Sequence, residues 1–319
     1  MIVRSYFMMF EQNEPFRFNF ASDDTTPERI QVIGKDNDAA LPAEELLLFS
    51  QEAEGREESS TGGPHSLREN LLTDVVEIAP GLSLQKGRLS SEAASNMLQE
   101  EGLADSDLIP GKYEGGFKLW ECAVDLARFM CQHFELQDFD QHAYPQLQGR
   151  PRALELGCGQ GIPGILLLRA GAEVHFQDYN GEVLRALTAP NVAANTAAGR
   201  EHAEDCTSTS SRFFAGDWAG LPRLLKTEGL LGTYDIVLSA ETVYSLDSQQ
   251  QLLNCIRQCL KPDVGKAWIA AKSYYFGVGG GTASFTRLVK QDGTFEVKVV
   301  DVIDDGASNK REILLLSFR

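Results

Sequence analysis

The chain has 319 residues, room for one large or two small domains, and its 43% apolar share is enough for a substantial core. Its formal net charge of −17 is uneven: residues 1–110 hold 21 acids against 8 bases, so −13 of the total falls there. No Lys/Arg patch interleaved with aromatics is present, which disfavours direct nucleic-acid binding. No apolar run approaches the length of a membrane span.

The first ten residues carry too short an apolar cluster for a signal peptide and lack a small-residue cleavage site. The acidic excess favours a basic protein partner through long-range attraction; an acidic tail that only aids solubility is the other reading. The six cysteines stand at 122, 131, 158, 206, 255 and 259 and form no Cys-x-x-Cys pair, which argues against zinc and against a disulfide framework. A reducing compartment fits them best. The five histidines are scattered without metal-ligand spacing, so no metal site is expected, and His175 reads as a satisfied core residue in mid-strand.

In chain order, residues 1–75 read as a mostly disordered acidic N-terminal region. The stretch Ser50 to His65 is rich in acids, Ser and Gly and lacks an apolar period. Within it Phe16-Arg17-Phe18-Asn19-Phe20 alternates aromatic and polar residues, as a short strand or a docking peptide does. Residues 76–319 read as one domain with an N-terminal extension. Residues 73–89 suggest one or two strands with a turn at Pro80-Gly81, and 90–109 a weak helix capped by Ser90 or Ser91. Trp120, Ala123, Val124, Ala127, Phe129 and Met130 recur at helical spacing.

Strands then follow at 152–157, 173–177, 212–216, 234–239, 266–272, 294–303 and 312–318. Helices are expected at 161–170, 180–198, 247–260 and 281–290, the second broken or kinked at Pro190. Alternation of strand and helix implies an α/β fold, a doubly wound, mostly parallel seven-stranded sheet. The last two strands have no helix between them, so they form a hairpin that puts one antiparallel strand in the sheet.

The first strand ends in Glu155-Leu156-Gly157-Cys158-Gly159-Gln160-Gly161 and runs into a helical pattern. Gly157 and Gly159 let the backbone turn tightly and approach a ligand. Asp178 follows Gly157 by about 20 residues, the spacing at which a carboxylate takes ribose hydroxyls. An ordinary strand-to-helix turn is the plainer reading of the glycines alone. Asp217 and Trp218 after the third strand suit an adenine site, or equally an N-cap and a core ring.

The carboxyl ends of the fourth and fifth strands carry Ser239-Ala240-Glu241-Thr242-Val243-Tyr244 and Lys272 to Phe276, the latter followed by the glycine-rich 277–281. Small residues at 239 and 240 leave room beside a reacting group. Glu241 and Tyr244 then face a substrate and orient a nitrogen by hydrogen bonding; a helix N-terminal acid is the alternative for Glu241. Tyr274, Tyr275 and Phe276 read as an aromatic wall or as packing. The glycine run reads as a flap or as a long turn.

The pattern Glu-x-Gly-x-Gly-x-Gly resembles the first motif of the seven-strand, class I, Rossmann-like methyltransferases. With DSDLIPGKYEGGFKLWEC (105–122), VHFQDYN (174–180), PNVAAN (190–195), RFFAGDW (212–218), YDIVLSAETVY (234–244) and AKSYYFGVGGG (271–281), the chain resembles the protein-histidine N-methyltransferases of the methyltransferase-like group. The resemblance runs from about residue 105 to the end, and the FRFNF stretch resembles a segment near the start of such enzymes.

It implies S-adenosylmethionine as donor and a histidine ring nitrogen of a large-subunit ribosomal protein as acceptor. It further implies a monomer working in cytoplasm and nucleus, the nucleolus included, with neither nucleic acid nor membrane as direct partner. It carries cofactor contacts onto Leu119, Trp120, Glu121, Cys122, Ala123, Gly157, Gln177, Asp178, Tyr179, Gly216, Asp217, Trp218 and Ala240. Gly199 to Ser211 is a polar insertion. Two other readings stand beside this one: a lysine methyltransferase of the same fold, whose acid-x-x-Tyr motif Glu241–Tyr244 also resembles, and a non-catalytic scaffold that binds S-adenosylmethionine for ribosome assembly.

Overall fold

The computed structural model describes residues 42–46, 71–89, 113–134, 150–197, 211–306 and 308–319. The elements in order are β1 (Glu44–Leu46), β2 (Leu71–Ala79), β3 (Leu82–Leu89), α1 (Glu121–His133), β4 (Arg152–Leu156), α2 (Ile162–Arg169) and β5 (Glu173–Asp178). Then come α3 (Gly181–Val183, continuing to Ala197), β6 (Phe213–Ala215), α4 (Leu221–Thr227), β7 (Ile236–Ala240) and α5 (Leu246–Cys259). The last are β8 (Lys266–Lys272), α6 (Thr282–Asp292), β9 (Phe295–Ile303) and β10 (Arg311–Phe318). The FRFNF stretch, the weak helix over 90–109 and most of the 199–211 insertion lie outside the described residues.

The strand order is β1-β6-β5-β4-β7-β8-β10-β9. β6, β5, β4, β7 and β8 run parallel to one another, and β10 runs antiparallel to both β8 and β9. This is the expected doubly wound sheet with its closing hairpin. From β4 the chain winds outward one way through β5 and β6 and the other way through β7 and β8. The crevice beyond the carboxyl ends at that reversal is where such sheets take ligands.

Side chains along the strands alternate between two apolar cores, as the twofold strand repeat demands. Ala153 of β4, Ile236 of β7 and Trp268 of β8 join α1 and α2 on one face. Leu154, Val237 and Ile269 join α4, α5 and α6 on the other. Covered on both sides, these strands are continuously apolar.

Three findings depart from the sequence reading. First, the sheet has an eighth strand: β1 pairs antiparallel with the β6 edge, Glu45 opposite Phe214. Arg212 holds the Glu45 carboxylate with both Nε (2.6 Å) and Nη2. Both β1 and the start of β2 fall ahead of the boundary expected at residue 76. Second, Pro190 does not break α3. The helix passes through a π turn at Leu184–Thr188 and continues from Ala189 to Ala197; the wider turn falls just ahead of the missing proline N–H, where an α-helical bond would be lost anyway. Third, α4 was not expected; its seven residues begin with Leu221-Pro222, and proline in a first turn is a helix signal.

The β2–β3 hairpin is separate from the main sheet and packs Ile78, Leu82 and Leu84 into the α1–α2 core. Asparagines of α3 replace a neighbouring strand along β3. Asn195 Oδ1 accepts from Gln85 N (2.8 Å), and its Nδ2 donates to Gln85 O (2.7 Å). Asn191 Oδ1 accepts from Gly87 N (2.5 Å). Asn195→Ala therefore strands a backbone donor and acceptor, and thermal unfolding is expected to show a loss of about 1–3 kcal/mol. An unchanged melting temperature would mean that the clamp contributes nothing.

Candidate active site

Between β4 and α2 the backbone turns through Gly157, Gly159 and Gly161, all at positive φ. A Cβ on Gly157 would lie 2.6 Å from Thr242 Cγ2, so the loop can sit against β7 only as glycine. Side chains from three elements hold this turn. Glu155 Oε2 accepts from Gly164 N (2.8 Å) and so satisfies an N-terminal amide of α2. Asp178 Oδ2 accepts from Gly159 N (2.8 Å). Thr188 Oγ1 donates to Gly159 O (2.6 Å), and Asn191 Nδ2 donates to Gln160 O (3.0 Å).

Gln177 stitches two loops together. Its Oε1 accepts from Gly157 N (3.2 Å) and from Trp218 Nε1 (2.9 Å), while its Nε2 donates to Gly216 O (2.8 Å). The Trp218 ring is thereby fixed beside the glycine turn.

These loops border a cavity of about 580 Å³, within the range of small-ligand sites. Leu119, Trp120, Ala123, Gly157, Gly159, Asp178, Tyr179, Gly216, Asp217, Trp218, Ala240, Glu241 and Tyr244 all line it. Three expected residues do not. Gln177 is buried behind the wall and acts through Trp218 and the loop amides. Cys122 points into the core. Glu121 turns to Lys272 Nζ at 3.3 Å. Residues 121 and 122 begin α1, and the helical repeat turns Cys122 inward while Trp120 and Ala123 reach the cavity.

The cavity also takes Glu114, Gly116, Lys118, Cys158, Gln160, Thr242, Ser245, Asp247, Ser248 and Gln251, which motif matching did not single out. Positions 247, 248 and 251 share one face of α5, a spacing visible in the sequence. Lys118 lies over the Trp120 ring, 5.2 Å from its centre. Among the described residues no cluster of His, Cys, Asp or Glu is placed to hold a metal ion.

Glu241 is not a helix N-terminal acid. It has φ +59°, unusual for a non-glycine residue, and stands five residues ahead of α5. The Tyr275 hydroxyl donates to its Oε2, while Oε1 is buried without a hydrogen-bond partner. Burial pushes its pKa up, opposed by the nearby Lys272 charge and by Cys122 and Tyr275. Tyr275 is thus the packed member of the aromatic trio, and Tyr274 and Phe276 are exposed. Asp217 lines the cavity, and its Oδ1 accepts from Ala219 N (2.7 Å); it is not a helix cap, since α4 starts after Gly220 with no side-chain cap bond. His175 is buried as expected, its Nδ1 2.9 Å from the Tyr234 hydroxyl, and burial pushes its pKa down to about 4.

Two carboxyls beneath the glycine turn are strongly displaced. Burial raises Asp178 to about 6, against the pull of the backbone N–H groups of Asn180, Gly159 and Tyr179. Burial raises Glu155 to about 8, with the Gly164 amide pulling down and the Asp178 charge pushing up.

The family described as lysine methyltransferase matches residues 110–275. The chain is 40% identical over 215 residues to a histidine protein methyltransferase 1 homolog of Dictyostelium discoideum, covering 67% of this chain and 62% of that protein. It is 34% identical over 280 residues to the Bos taurus homolog of the same name, covering 80% and 71%. The chain thus spans a little under two thirds of the first of these relatives. A solved structure, a putative SAM-dependent methyltransferase from Streptococcus mutans, aligns at 12% identity and a TM-score of 0.47 over 76% of this chain and 55% of that one.

Glu155 sets a pH dependence of stability. Its folded pKa of about 8 lies above its ordinary 4.5, so its contribution is full below about 4.5 and is lost as pH rises through about 8. Asp178 adds the same sign between 3.8 and about 6. Glu155→Gln, which keeps an oxygen for Gly164 N, is expected to lose less stability than the parent between pH 5 and 8 in thermal unfolding. Parallel curves for the two proteins would refute a neutral Glu155 in the fold.

Proposed function

The chain belongs to the lysine methyltransferase family, and from that membership we propose that it transfers a methyl group from S-adenosylmethionine to a histidine ring nitrogen of a protein. The observation that carries the choice of histidine is the 34% identity over 280 residues to a protein named histidine protein methyltransferase 1 homolog. The finer reading is a large-subunit ribosomal protein as acceptor, with the enzyme working in cytoplasm and nucleus. A basic acceptor suits a chain of net charge −17.

The residues fit the donor. Gly157 leaves open backbone where a Cβ would collide with Thr242. Asp178, at the end of β5, keeps acceptor capacity for ribose hydroxyls beyond its bonds to the backbone N–H groups of Gly159, Asn180 and Tyr179. Trp218, held by Gln177, offers a ring to the adenine. Ala240 is small where the reacting centre must pass. When bound, the sulfonium supplies an activated methyl group.

What remains for the chain is alignment and choice of tautomer. A neutral imidazole attacks through one nitrogen, and a hydrogen bond to the other decides which. Tyr244 lines the cavity and is the phenol assigned to this role. Glu241 lines the cavity, its carboxylate bonded to Tyr275 and standing beside Cys122 and Lys272. An N–H that becomes positive during transfer would be stabilised by a nearby carboxylate charge. Placement of the reactants supplies the rest of the acceleration.

Incubation with labelled S-adenosylmethionine and ribosomal proteins, followed by mass spectrometry of the labelled peptide, is expected to find methylhistidine. Methyllysine alone would favour the reading given by the family's description, and no transfer would favour a scaffold. Glu241→Gln is expected to cut turnover by about 10- to 100-fold while calorimetry finds affinity for S-adenosylhomocysteine within about threefold of the parent; equal losses of both would remove Glu241 from the acceptor side. Hydroxyl donors favour the ionised form of Asp178, so affinity for the same ligand is expected to fall as pH drops through about 6. A flat profile across that range in Asp178→Asn, with the slope kept in the parent, completes the test.

A further inference from the structure

The loop after β8 does not behave as a loose flap. Gly280 N donates to Tyr244 O (3.0 Å), Gly281 N donates to Val243 O (2.8 Å), and Gly279 forms a β-bridge with Ser245. A Cβ on Gly280 would overlap the Tyr244 carbonyl, so the glycine serves close approach of two backbones. Asn309 Nδ2 holds the loop from the other side, at Tyr274 O (3.2 Å). The loop is thus zipped to the very segment, Tyr244 and Ser245, that lines the cavity.

This zipped loop presents apolar side chains outward. Phe276 is 70% exposed and Tyr274 46%, and their rings meet edge to face at 5.2 Å. Leu246, 54% exposed, stands beside Gly279 across the bridge. Exposed aromatics on fixed backbone cost little entropy when they are covered, and Tyr, Trp and Phe are enriched where proteins dock.

The charge lining the cavity is mostly negative. Glu114, Asp217 and Asp247 line it beside the buried Asp178 and Glu241, with Lys118 the one basic side chain in the lining, set over the Trp120 ring. Asp247 is exposed and next in sequence to Leu246.

We propose that Tyr274, Phe276, Leu246 and Asp247 form the docking surface for the acceptor protein, and that it fits a segment with arginine next to the residue that enters the cavity. The guanidinium is the best match, because it offers a charge to Asp247 and a flat face to an exposed aromatic ring. The proposal rests on the reading of the cavity as a methyl-transfer site and adds to it the side chains that select the sequence around the acceptor.

The test separates docking from transfer. Short fluorescein-labelled peptides with a central histidine, flanked by arginine, lysine or glutamate, are titrated with the full chain saturated with S-adenosylhomocysteine, and anisotropy is read. The arginine-flanked peptide is expected to bind about 10-fold tighter than the glutamate-flanked one, more tightly than the lysine-flanked one, and more weakly as salt rises. Phe276→Ala and Leu246→Ala are each expected to weaken that binding about fivefold or more with affinity for S-adenosylhomocysteine unchanged, and Asp247→Asn to narrow the gap between the arginine- and glutamate-flanked peptides. That unchanged affinity is also the control for folding, and Leu246→Ala serves if the aromatic variant fails it. Equal binding of the three peptides, or full binding by both alanine variants, overturns the proposal. Methyl transfer to the arginine-flanked peptide is measured separately. Selective binding without transfer leaves the docking surface standing and counts against the proposed activity; transfer that ignores flanking charge and both alanine substitutions does the reverse.

Discussion

The turn between β4 and α2 keeps its shape because two buried carboxyls are committed to its amides. Glu155 reaches forward to Gly164 and Asp178 reaches across from β5 to Gly159. A three-glycine turn has no side chains of its own to stop it from exploring other conformations, and glycine loses more freedom on folding than any other residue. The restraint must come from neighbours. Burying carboxyls is costly, as their raised pKa values record, and the return is a backbone held open against a cavity. Nothing bulkier than an amide lies between that backbone and a ligand.

The same turn is tied to distant parts of the chain. Asn191 donates to Gln160 O in the turn and accepts from Gly87 N in the outlying hairpin. Gln177 joins the turn to the loop after β6, and Thr242 packs where a Gly157 Cβ would be. The glycine turn, the loop after β6 and the hairpin therefore share hydrogen bonds, and no one of them can shift alone without stranding a buried polar group. This explains why the matching stretches PNVAAN and VHFQDYN include polar residues in otherwise buried elements. They are the fasteners of the site.

The legible parts of the molecule were those in which a local rule leaves a local mark. Positive φ shows as glycine, a strand covered on both faces shows as a continuous apolar run, and a strand-end carboxylate stands about 20 residues past the turn. The rest depended on partners far away in sequence. Asn195 looks like any helical asparagine until Gln85, 110 residues earlier, lies against it. β1 is only three residues long and exists because β6 offers an open edge. The run 277–281 looked mobile because glycine is permissive, yet here glycine permits contact with the Tyr244 backbone. Glu121 and Cys122 sat inside a matching motif, and only the rotation of α1 turned them from the cavity.

That rotation leads to the charged cluster behind the site. Arg311 of β10 holds Asp125 of α1 at 2.6 Å and Asp305 at 2.8 Å, and it also donates to Ser308. Lys272, 2% exposed at the end of β8, lies 3.3 Å from Glu121 and opposes the rise in the Glu241 pKa. Buried ion pairs are poor sources of net stability, because desolvation offsets most of the attraction. They are, however, intolerant of a shift in register: sliding β10 by one residue past β8 would turn Arg311 to the other face and leave both acids unpaired. The antiparallel strand that closes the sheet is in this way locked to α1, whose first residues stand beside the cavity, and to Lys272, which faces Glu241. The closing hairpin thus sets the charge behind the cavity as well as completing the sheet.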